Sequence, residues 1–372
     1  MTERNLGVVY HRVPHYRRAV FDELDATDQL AVTFIADWSR SDDSIPLVDP
    51  DSTSWHRIQV RNVRVGRFIW QRGLLRKVGD FDVLIIEGNL YHLSTWAAAM
   101  KARRLGIPVI FWTQGWTSPE RGAKAWVRLR FYRLAEHLLV YGERAREIGA
   151  GLGLEESAIT PIFNSLEDAT SVAHRQALHI ARSHHEAARP TVLAVCRLVR
   201  ARRLDLLVEA VSILERSGSS VRLIVVGDGP MRRELELLAH ELEIDAHFER
   251  AVYDEKRLAE YFRQADVTVV PAYAGLTVIH SLAHATPVIV GDDPNLSGPE
   301  WEAVQPGSNG DHFRSGDPED LARVIRDWLR DDHPDLVDAC FGPLLDRYNA
   351  TAQADVIGNV LTRLLSNADP NG

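Results

Sequence analysis

The feature that most constrains the fold is a strand, turn, helix and strand pattern in the second half of the chain. The apolar run Val267–Pro271 leads into a turn at Ala274-Gly275-Leu276, and a helical pattern follows until Thr286-Pro287. A second apolar strand, Val288–Val290, comes next. Because a helix N-terminus after a glycine turn presents free backbone N–H groups, it favours an anion. We therefore predict a phosphate site at this turn.

Short apolar strands alternate with helical patterns along most of the chain. Further strands are predicted at Leu6–Tyr10, Leu30–Ala36, Val83–Glu87, Val109–Thr113, Leu138–Tyr141, Thr191–Cys196, Val221–Val226 and Ala246–Glu249. Helices are predicted at Arg17–Leu24, Leu93–Leu105, Ala125–Leu134, Leu204–Arg216, Met231–Leu242, Glu255–Arg263, Pro318–Asp331 and Ala350–Ser366. This alternation predicts an α/β fold of parallel sheets with helices on both faces. Ligands of such sheets bind beyond the carboxyl ends of the strands.

A length of 372 residues predicts two domains of ordinary size. We expect Rossmann-like domains over residues 1–166 and 191–349, joined by a polar, His-rich connection over 167–190 that contains a helix. We also expect a C-terminal helix within 350–372, which can pack back on the first domain.

The net charge of −9 is unevenly distributed. Residues 1–165 hold 22 Lys/Arg and 19 Asp/Glu, a balance of +3, whereas residues 166–372 hold 21 and 33, a balance of −12. Two halves of different function are indicated, and an acidic chain argues against nonspecific binding of nucleic acid. The two cysteines fit neither a metal site nor a disulfide framework, which favours a reduced, cytoplasmic protein. We expect no signal peptide and no transmembrane helix.

Four segments that follow strands in the second half carry candidate chemistry. They are the arginine-rich loop Cys196–Arg203, the turn Gly227-Asp228-Gly229-Pro230, the Gly275 turn and the acidic segment Ser297–Glu302. Arginine's planar fork suits phosphate oxygens, and a carboxylate accepts hydrogen bonds from sugar hydroxyls. Each segment also has an ordinary structural explanation, as a solvated loop, a tight turn, a plain strand–helix connection or a favourable helix N-terminus.

Their order resembles the C-terminal domain of retaining glycosyltransferases with the GT-B fold, family 4 (glycosyl transferases group 1). The matching stretches are CRLVRARRLDLL, VVGDGP and AYAGLTVIHSLAHATPVI, and the match spans about residues 190–330. The resemblance implies two Rossmann-like domains facing across a cleft, with the acceptor on the N-terminal side.

The resemblance also implies roles for individual residues. The donor-binding set comprises Arg197 and Arg202 on the diphosphate, the amides of Gly275, Leu276 and Thr277, and the turn residues Gly227 and Asp228. Ala272 and His280 replace the two acidic residues of the family pattern that contact sugar and ribose. We therefore add His280, as a hydrogen-bond donor, and Glu300 or Glu302, as a substitute carboxylate, to the donor site.

The N-terminal half matches the family only in architecture. Gln114 takes the place of the family histidine, and it can hydrogen-bond a sugar hydroxyl without shuttling a proton. Glu87 and Asn89 close the preceding strand and complete the candidate catalytic set, with Glu87 as a base or a polar clamp. A structural strand-end role for Glu87 remains open.

Together with these observations, the resemblance implies a metal-independent enzyme without a cofactor. It transfers a sugar, with retention, from a UDP- or GDP-sugar to a hydroxyl acceptor in glycan, glycolipid or natural-product biosynthesis. A nucleotide-sugar epimerase and a noncatalytic nucleotide-sugar-binding subunit are the alternatives. Two basic, aromatic stretches, Arg57–Lys77 and Arg121–Arg133, suit an anionic membrane surface, an anionic acceptor or, as the favoured interpretation, solvated helix faces.

Overall fold

The chain folds into two compact units. The computed structural model describes residues 4–27, 30–39, 46–180 and 189–367. Unit 1 comprises Met1–Asp168 and Asn349–Gly372, and unit 2 comprises Ala169–Tyr348. The chain therefore leaves unit 1, forms unit 2 and returns to unit 1 for its last helix.

Unit 1 is built on short parallel strands and intervening helices. Its strands are β1 (Arg4–Val9), β2 (Leu30–Ala36), β3 (Arg57–Gln59), β4 (Arg61–Val65), β5 (Phe68–Arg72), β6 (Val83–Glu87), β7 (Val109–Trp112), β8 (His137–Val140) and β9 (Ile159–Pro161). Its first helices are α1 (Arg18–Asp25), α2 (Leu74–Lys77), α3 (Leu93–Arg104), α4 (Gly122–Tyr132) and α5 (Glu143–Gly151).

Unit 2 repeats the same alternation. Its helices are α6 (Ala169–Ile180), α7 (Leu204–Arg216), α8 (Arg232–Glu241), α9 (Glu255–Gln264), α10 (Thr277–Leu282), α11 (Pro318–Arg330) and α12 (Leu336–Asp346). Its strands are β10 (Thr191–Val195), β11 (Arg222–Val226), β12 (Ala246–Glu249), β13 (Val267–Val270), β14 (Val288–Gly291) and β15 (Gly310–Phe313). The final helix of the chain, α13 (Ala350–Asn367), belongs to unit 1.

Both main sheets are parallel and share one strand order. The sheet of unit 1 runs β3-β2-β1-β6-β7-β8-β9, and that of unit 2 runs β12-β11-β10-β13-β14-β15. In each sheet the chain begins at an inner strand and adds the next strands outward on one side of it. The chain then crosses back and adds the remaining strands on the other side of that first strand. The order reverses between β1 and β6 in unit 1 and between β10 and β13 in unit 2. Doubly wound sheets bind ligands at the carboxyl ends of the strands beside such a reversal.

Apolar side chains from the strands and helices fill separate cores in the two units. In unit 1, α13 contributes Ile357 and Leu361 to a cluster with Phe21 and Phe34, and all four side chains are buried. In unit 2, α11 packs Leu321 and other apolar residues of one face into the core. This helix begins as its sequence predicts, because Asp317 accepts hydrogen bonds from two backbone N–H groups of the first turn.

The fold class predicted from the sequence is confirmed, although several elements differ. The basic stretch Arg57–Lys77 was expected to form helix faces, and that expectation was wrong: it contains β3, an antiparallel hairpin of β4 and β5, and only one turn of helix in α2. Alternating β-branched residues and the Gly66 turn favour the hairpin over a helix. The sequence also left β9, β15, α5 and α12 unpredicted.

The predicted connection over 167–190 contains α6, which the structure groups with unit 2. Residues 181–188 of the connection, 1–3 at the N-terminus and 368–372 at the C-terminus lie outside the described residues. Cys196 and Cys340 are free thiols. Among the described helices, none combines the length and apolar character needed to cross a bilayer.

Candidate functional site

His11 and Glu87 form a hydrogen-bonded pair at the strand-order reversal of unit 1. Glu87 is the last residue of β6, and His11 lies two residues beyond β1, its parallel neighbour. The Oε2 atom of Glu87 accepts hydrogen bonds from the backbone N–H of His11 at 3.0 Å and from its Nδ1 at 2.6 Å. The parallel pairing of β1 and β6 therefore positions both side chains at the ligand-binding edge of the sheet.

The pair holds Glu87 in its ionised form. Burial by itself would raise the pKa of Glu87, but the hydrogen bonds from His11 and the charges of His11 and His92 outweigh burial and lower it. An ionised carboxylate only accepts hydrogen bonds, so Nδ1 of His11 carries the shared proton. No residue in the described ranges donates to the second oxygen, Oε1, and the Glu87 side chain is 21% exposed. Glu87 therefore has one oxygen held by the protein and one available to a ligand hydroxyl.

His92 completes a cluster of three potential ligand atoms around Glu87. His92 directly precedes α3, its Nδ1 lies 3.8 Å from Oε2 of Glu87, and the centre of its ring lies 4.8 Å from that of His11. Burial lowers the pKa of His92, which favours a neutral ring. Within the described part of the chain, these three residues form the one group whose His, Cys or carboxylate atoms lie close enough to hold a metal ion. The 2.6 Å contact requires a proton on Nδ1 of His11, however, and metal binding at Nδ1 requires its lone pair.

The other two residues of the predicted catalytic set lie at the same edge of the sheet. The side-chain oxygen of Asn89 accepts a hydrogen bond from the backbone N–H of Tyr91 at 3.0 Å, so Asn89 shapes the loop between β6 and α3. Gln114 lies two residues beyond β7, the neighbour of β6, and its side chain is exposed. Catalytic roles for both residues remain predictions.

In unit 2, the arginine-rich loop and the glycine turn after β11 pack directly on each other. A Cβ atom placed on Gly227 would lie 1.9 Å from the carbonyl oxygen of Cys196, and one on Gly229 would lie 2.3 Å from that of Leu198. Hydrogen bonds from Leu198 N–H to the Asp228 carbonyl and from Met231 N–H to the Leu198 carbonyl join the two loops. The two glycines are therefore required by close backbone approach, and Asp228 is exposed at the turn.

The predicted phosphate turn lies beside one of the predicted arginines. Arg202 donates a hydrogen bond from Nη1 to the backbone carbonyl of Tyr273, just before Gly275. The hydroxyl of Thr277 donates to the carbonyl of Val195, which ties the start of α10 to the end of β10 at 2.8 Å. Within the described residues, the N–H groups of 275–277 form no hydrogen bond. The positive charge of Arg202 thus lies beside these N–H groups, at the strand-order reversal between β10 and β13 of unit 2.

Arg197 belongs to the same loop, and its side chain is exposed. Within the described residues it forms neither an ion pair nor a side-chain hydrogen bond. An exposed and unpaired guanidinium remains able to bind an anion.

The acidic segment after β14 packs against the same turn. The N–H of Gly298 donates to the carbonyl of Ala274 at 2.8 Å, and a Cβ atom on Gly298 would lie 3.1 Å from Oε2 of Glu300. Glu300 is only 3% exposed, whereas Glu302 is half-buried. The structure therefore brings Glu300 close to the Gly275 turn.

His280 and Ala272 mark the departures from the family pattern. The ring of His280 is nearly parallel to that of Phe262 on α9, with ring centres 6.4 Å apart. His280 therefore packs against Phe262. The hydrogen bond that His280 was expected to donate to the sugar donor remains a prediction. Ala272 is buried beside the turn.

Sequence reasoning identified Glu87 but missed His11 and His92 as its partners. His11 lies 76 residues from Glu87 in the sequence, and only the strand order brings the two together. The signal available was that Glu87 ends one strand and His11 lies two residues beyond another, together with the rule that inner parallel strands end at one edge of the sheet.

Comparison with solved structures defines the class of fold. The chain resembles the crystal structure of Anabaena HepE in complex with UDP, with a TM-score of 0.70 and 14% sequence identity, covering 97% of this chain and 100% of that one. The two Rossmann-like units are therefore those of a GT-B glycosyltransferase fold.

Comparison of the sequence finds a family match in the second unit and partial matches to curated relatives. The chain matches the family described as "Glycosyl transferases group 1" over residues 176–340. It is 30% identical over 268 residues to a D-inositol 3-phosphate glycosyltransferase of Nocardiopsis dassonvillei, covering 65% of this chain and 61% of that protein. It is 32% identical over 149 residues to a GDP-mannose-dependent alpha-(1-6)-phosphatidylinositol dimannoside mannosyltransferase of Mycobacterium tuberculosis, covering 39% and 37%. The chain thus spans less than two thirds of the length of these curated relatives.

Proposed function

We propose that the protein is a glycosyltransferase that moves a sugar, with retention, from a nucleoside diphosphate sugar to a hydroxyl of an acceptor. The observation that carries the proposal is the meeting of Arg202 with the Gly275 turn at the strand-order reversal of the unit that matches the glycosyl transferases group 1 family. Relatives named for GDP-mannose and a structural neighbour that binds UDP support a donor of this chemical class.

Unit 2 binds the donor in this proposal. Arg197 and Arg202 contact the diphosphate, and the N–H groups of 275–277 donate to its oxygens. These groups stabilise the negative charge that develops on the diphosphate when its bond to the anomeric carbon breaks. Glu300 is the candidate carboxylate for a donor hydroxyl, because it lies beside Gly298 and close to the turn.

Unit 1 binds the acceptor in this proposal, with Glu87 as a hydroxyl clamp. A general base works best when its pKa lies near the working pH, and the pKa of Glu87 lies below its ordinary value. Glu87 is therefore better suited to orient an acceptor hydroxyl through Oε1 than to take its proton. The acceptor oxygen bonds to the anomeric carbon, the electron pair of the broken bond leaves with the diphosphate, and a diphosphate oxygen takes the proton. His11 and His92 act on the substrate only through Glu87.

The donor site requires no metal ion in this proposal, because arginines and backbone N–H groups balance the diphosphate charge. We expect the rate of transfer to be unchanged in excess EDTA. A loss of activity that Mg²⁺ or Mn²⁺ restores would contradict metal independence while leaving the transfer reaction itself intact.

The donor assignment is tested by calorimetric titration with UDP and GDP. We expect Arg197→Ala and Arg202→Ala each to weaken binding by about tenfold or more, since each removes a charged hydrogen bond to phosphate. Arg200→Ala is the matched control, because Arg200 belongs to the same loop but its guanidinium lies 3.8 Å from Glu234 on α8. Equal affinity in all three variants and the parent protein would show that the diphosphate site is assigned wrongly.

A further inference from the structure

The hairpin of β4 and β5 presents an apolar face to solvent. Its cross-strand pairs are Arg61 with Arg72, Val63 with Trp70 and Val65 with Phe68 on one face, alternating with Asn62–Gln71 and Arg64–Ile69 on the other. The four apolar side chains of the first face are between 37% and 71% exposed. A contiguous exposed patch of this kind, flanked by polar residues, is typical of an interaction surface. We call the six residues of this face the hairpin face.

The opposite side of the hairpin is fixed to unit 1. The amide of Asn62 donates to the carbonyl of His11 at 2.8 Å, and that of Gln71 donates to the carbonyl of Tyr10 at 2.9 Å. Ile69 is buried and bridges to His92. The hairpin face is therefore held outward by contacts that include His11 and His92 of the Glu87 cluster.

Positive charge surrounds the hairpin face. Residues 52–79 contain seven Lys/Arg and no Asp or Glu, in a chain with a net charge of −9. Arg61, Arg64, Arg67 and Arg72 form no ion pair with any residue that the structure describes. Arg67 instead lies over the rings of Phe68 and Tyr91, 5.3 Å and 5.0 Å from their centres. These arginines remain available to an anionic partner.

The second basic and aromatic stretch lacks this combination. On α4, Trp126 is 63% exposed, but Lys124 and Arg128 both form ion pairs with Glu120, at 2.7 Å and 2.8 Å. Its charge is thus partly neutralised within unit 1. This helix supplies a matched control surface with an exposed tryptophan.

We propose that the hairpin face docks unit 1 on a bilayer that contains anionic phospholipid. Tryptophan, phenylalanine and valine side chains enter the boundary between headgroups and acyl chains, and the arginines bind lipid phosphates. The combination of exposed apolar area and unpaired positive charge matches the two components of an anionic bilayer surface, its acyl-chain boundary and its phosphates. If the proposed transferase function holds, docking brings the Glu87 cluster to acceptors at the lipid surface.

The proposal is tested by sedimentation of the full chain with vesicles, in the absence of donor and acceptor. We expect the protein to sediment with vesicles of equal parts phosphatidylglycerol and phosphatidylcholine, and to stay in solution with phosphatidylcholine alone. The double variant Phe68→Ser/Trp70→Ser should lower the partition coefficient by at least about tenfold, because it removes the aromatic groups that enter the interface. Trp126→Ser should bind like the parent.

A second pair of variants tests the charge and guards against a folding defect. Arg61→Gln/Arg72→Gln should weaken binding by roughly fivefold for each arginine at low salt. Arg104→Gln/Arg222→Gln, two exposed arginines elsewhere, should change it far less. Melting curves of all variants separate a folding defect from a loss of docking, and those of the arginine variants should coincide with the parent because these side chains are exposed.

The proposal is overturned if the parent stays in solution with anionic vesicles, or if both hairpin variants sediment like the parent. Either result leaves nucleotide binding by unit 2 untouched. Conversely, a failure of donor binding with intact vesicle binding would reject the proposed function and keep the docking surface.

Discussion

At the scale of single residues, Glu87 combines three properties that decide its role. Its Oε2 atom is held by two hydrogen bonds from His11, its pKa is lowered, and its position at the end of β6 exposes the other oxygen. A low pKa makes a weak base but a good hydrogen-bond acceptor. These properties suit the clamp that we propose for Glu87 better than the base, the other catalytic role expected from the sequence.

A general base and a hydroxyl clamp predict different effects on kcat when Glu87 is replaced by its neutral isostere, glutamine. A glutamine at position 87 still hydrogen-bonds both His11 and a hydroxyl, so we expect Glu87→Gln to keep kcat within about tenfold of the parent. Glu87→Ala removes the contact and should lower kcat by about 100-fold. Glu136→Gln, an exposed residue of the same unit, is the control. A loss of more than about 1,000-fold in the glutamine variant, seen in steady-state rates, would instead identify Glu87 as a general base.

A buried histidine makes the stability of unit 1 depend on pH. His137 on β8 is 2% exposed, its Nε2 lies 2.8 Å from the hydroxyl of Thr160, and burial lowers its pKa to about 4. The unfolded chain binds a proton below an ordinary pKa of about 6.5, whereas the folded chain does not until about pH 4. Stability is therefore lost as the pH falls through this window.

His137→Gln removes the titrating group and keeps a hydrogen bond to Thr160. We expect the variant to lose less stability than the parent between pH 7.5 and pH 4.5, by about 2–3 kcal/mol. Urea unfolding of both proteins at the two pH values measures the difference. Parallel losses in the two proteins would show that His137 does not titrate in this window.

At the scale of elements, the proposed donor site depends on backbone contacts between loops. The loops after β10 and β11 approach so closely that Gly227 and Gly229 leave no room for a side chain. The short helix α10 is held to β10 through Thr277, and Arg202 holds the turn before it. These contacts set the positions of the residues proposed to bind the diphosphate.

A methyl group at position 227 should disturb this arrangement. We expect Gly227→Ala to lower the melting temperature and to weaken UDP or GDP binding by more than tenfold, because the backbone must move away from Cys196. Gly358→Ala is the control: no atom lies within 4 Å of its Cβ position on α13, and alanine should stabilise that helix by about 1 kcal/mol. Parent-like nucleotide affinity in Gly227→Ala would contradict the role of the loop contact.

The elements predicted correctly from the sequence are those with a strong local signal. Buried strands such as β6, β11 and β13 read as continuous apolar runs, and the turn at Gly275 and the stop at Pro287 bound α10. The hairpin of β4 and β5 was missed because four of its five apolar side chains face solvent and only Ile69 is buried, so its alternation of residue types marks no buried face. The Glu87 cluster was only partly predictable, because its members meet through strand order rather than through a local motif.

At the scale of the whole molecule, two units with the same strand order carry candidate sites at equivalent positions. In each unit the strand order reverses beside the first strand, and the chemically distinctive residues lie at that reversal. In unit 2 they are arginines and unpaired N–H groups, which suit a diphosphate, and in unit 1 they are a carboxylate and two histidines, which suit a hydroxyl. The difference in chemistry between the sites supports one donor and one acceptor within a single chain.

The most direct test of this account is the release of nucleoside diphosphate from a panel of UDP- and GDP-sugars. Product separation by chromatography measures release for the parent protein and for Arg202→Ala under identical conditions. We predict that at least one donor releases its nucleoside diphosphate, and that Arg202→Ala lowers that rate by at least about tenfold. Release at the parent rate in Arg202→Ala, or a parent protein that binds and cleaves no member of the panel, would contradict the account.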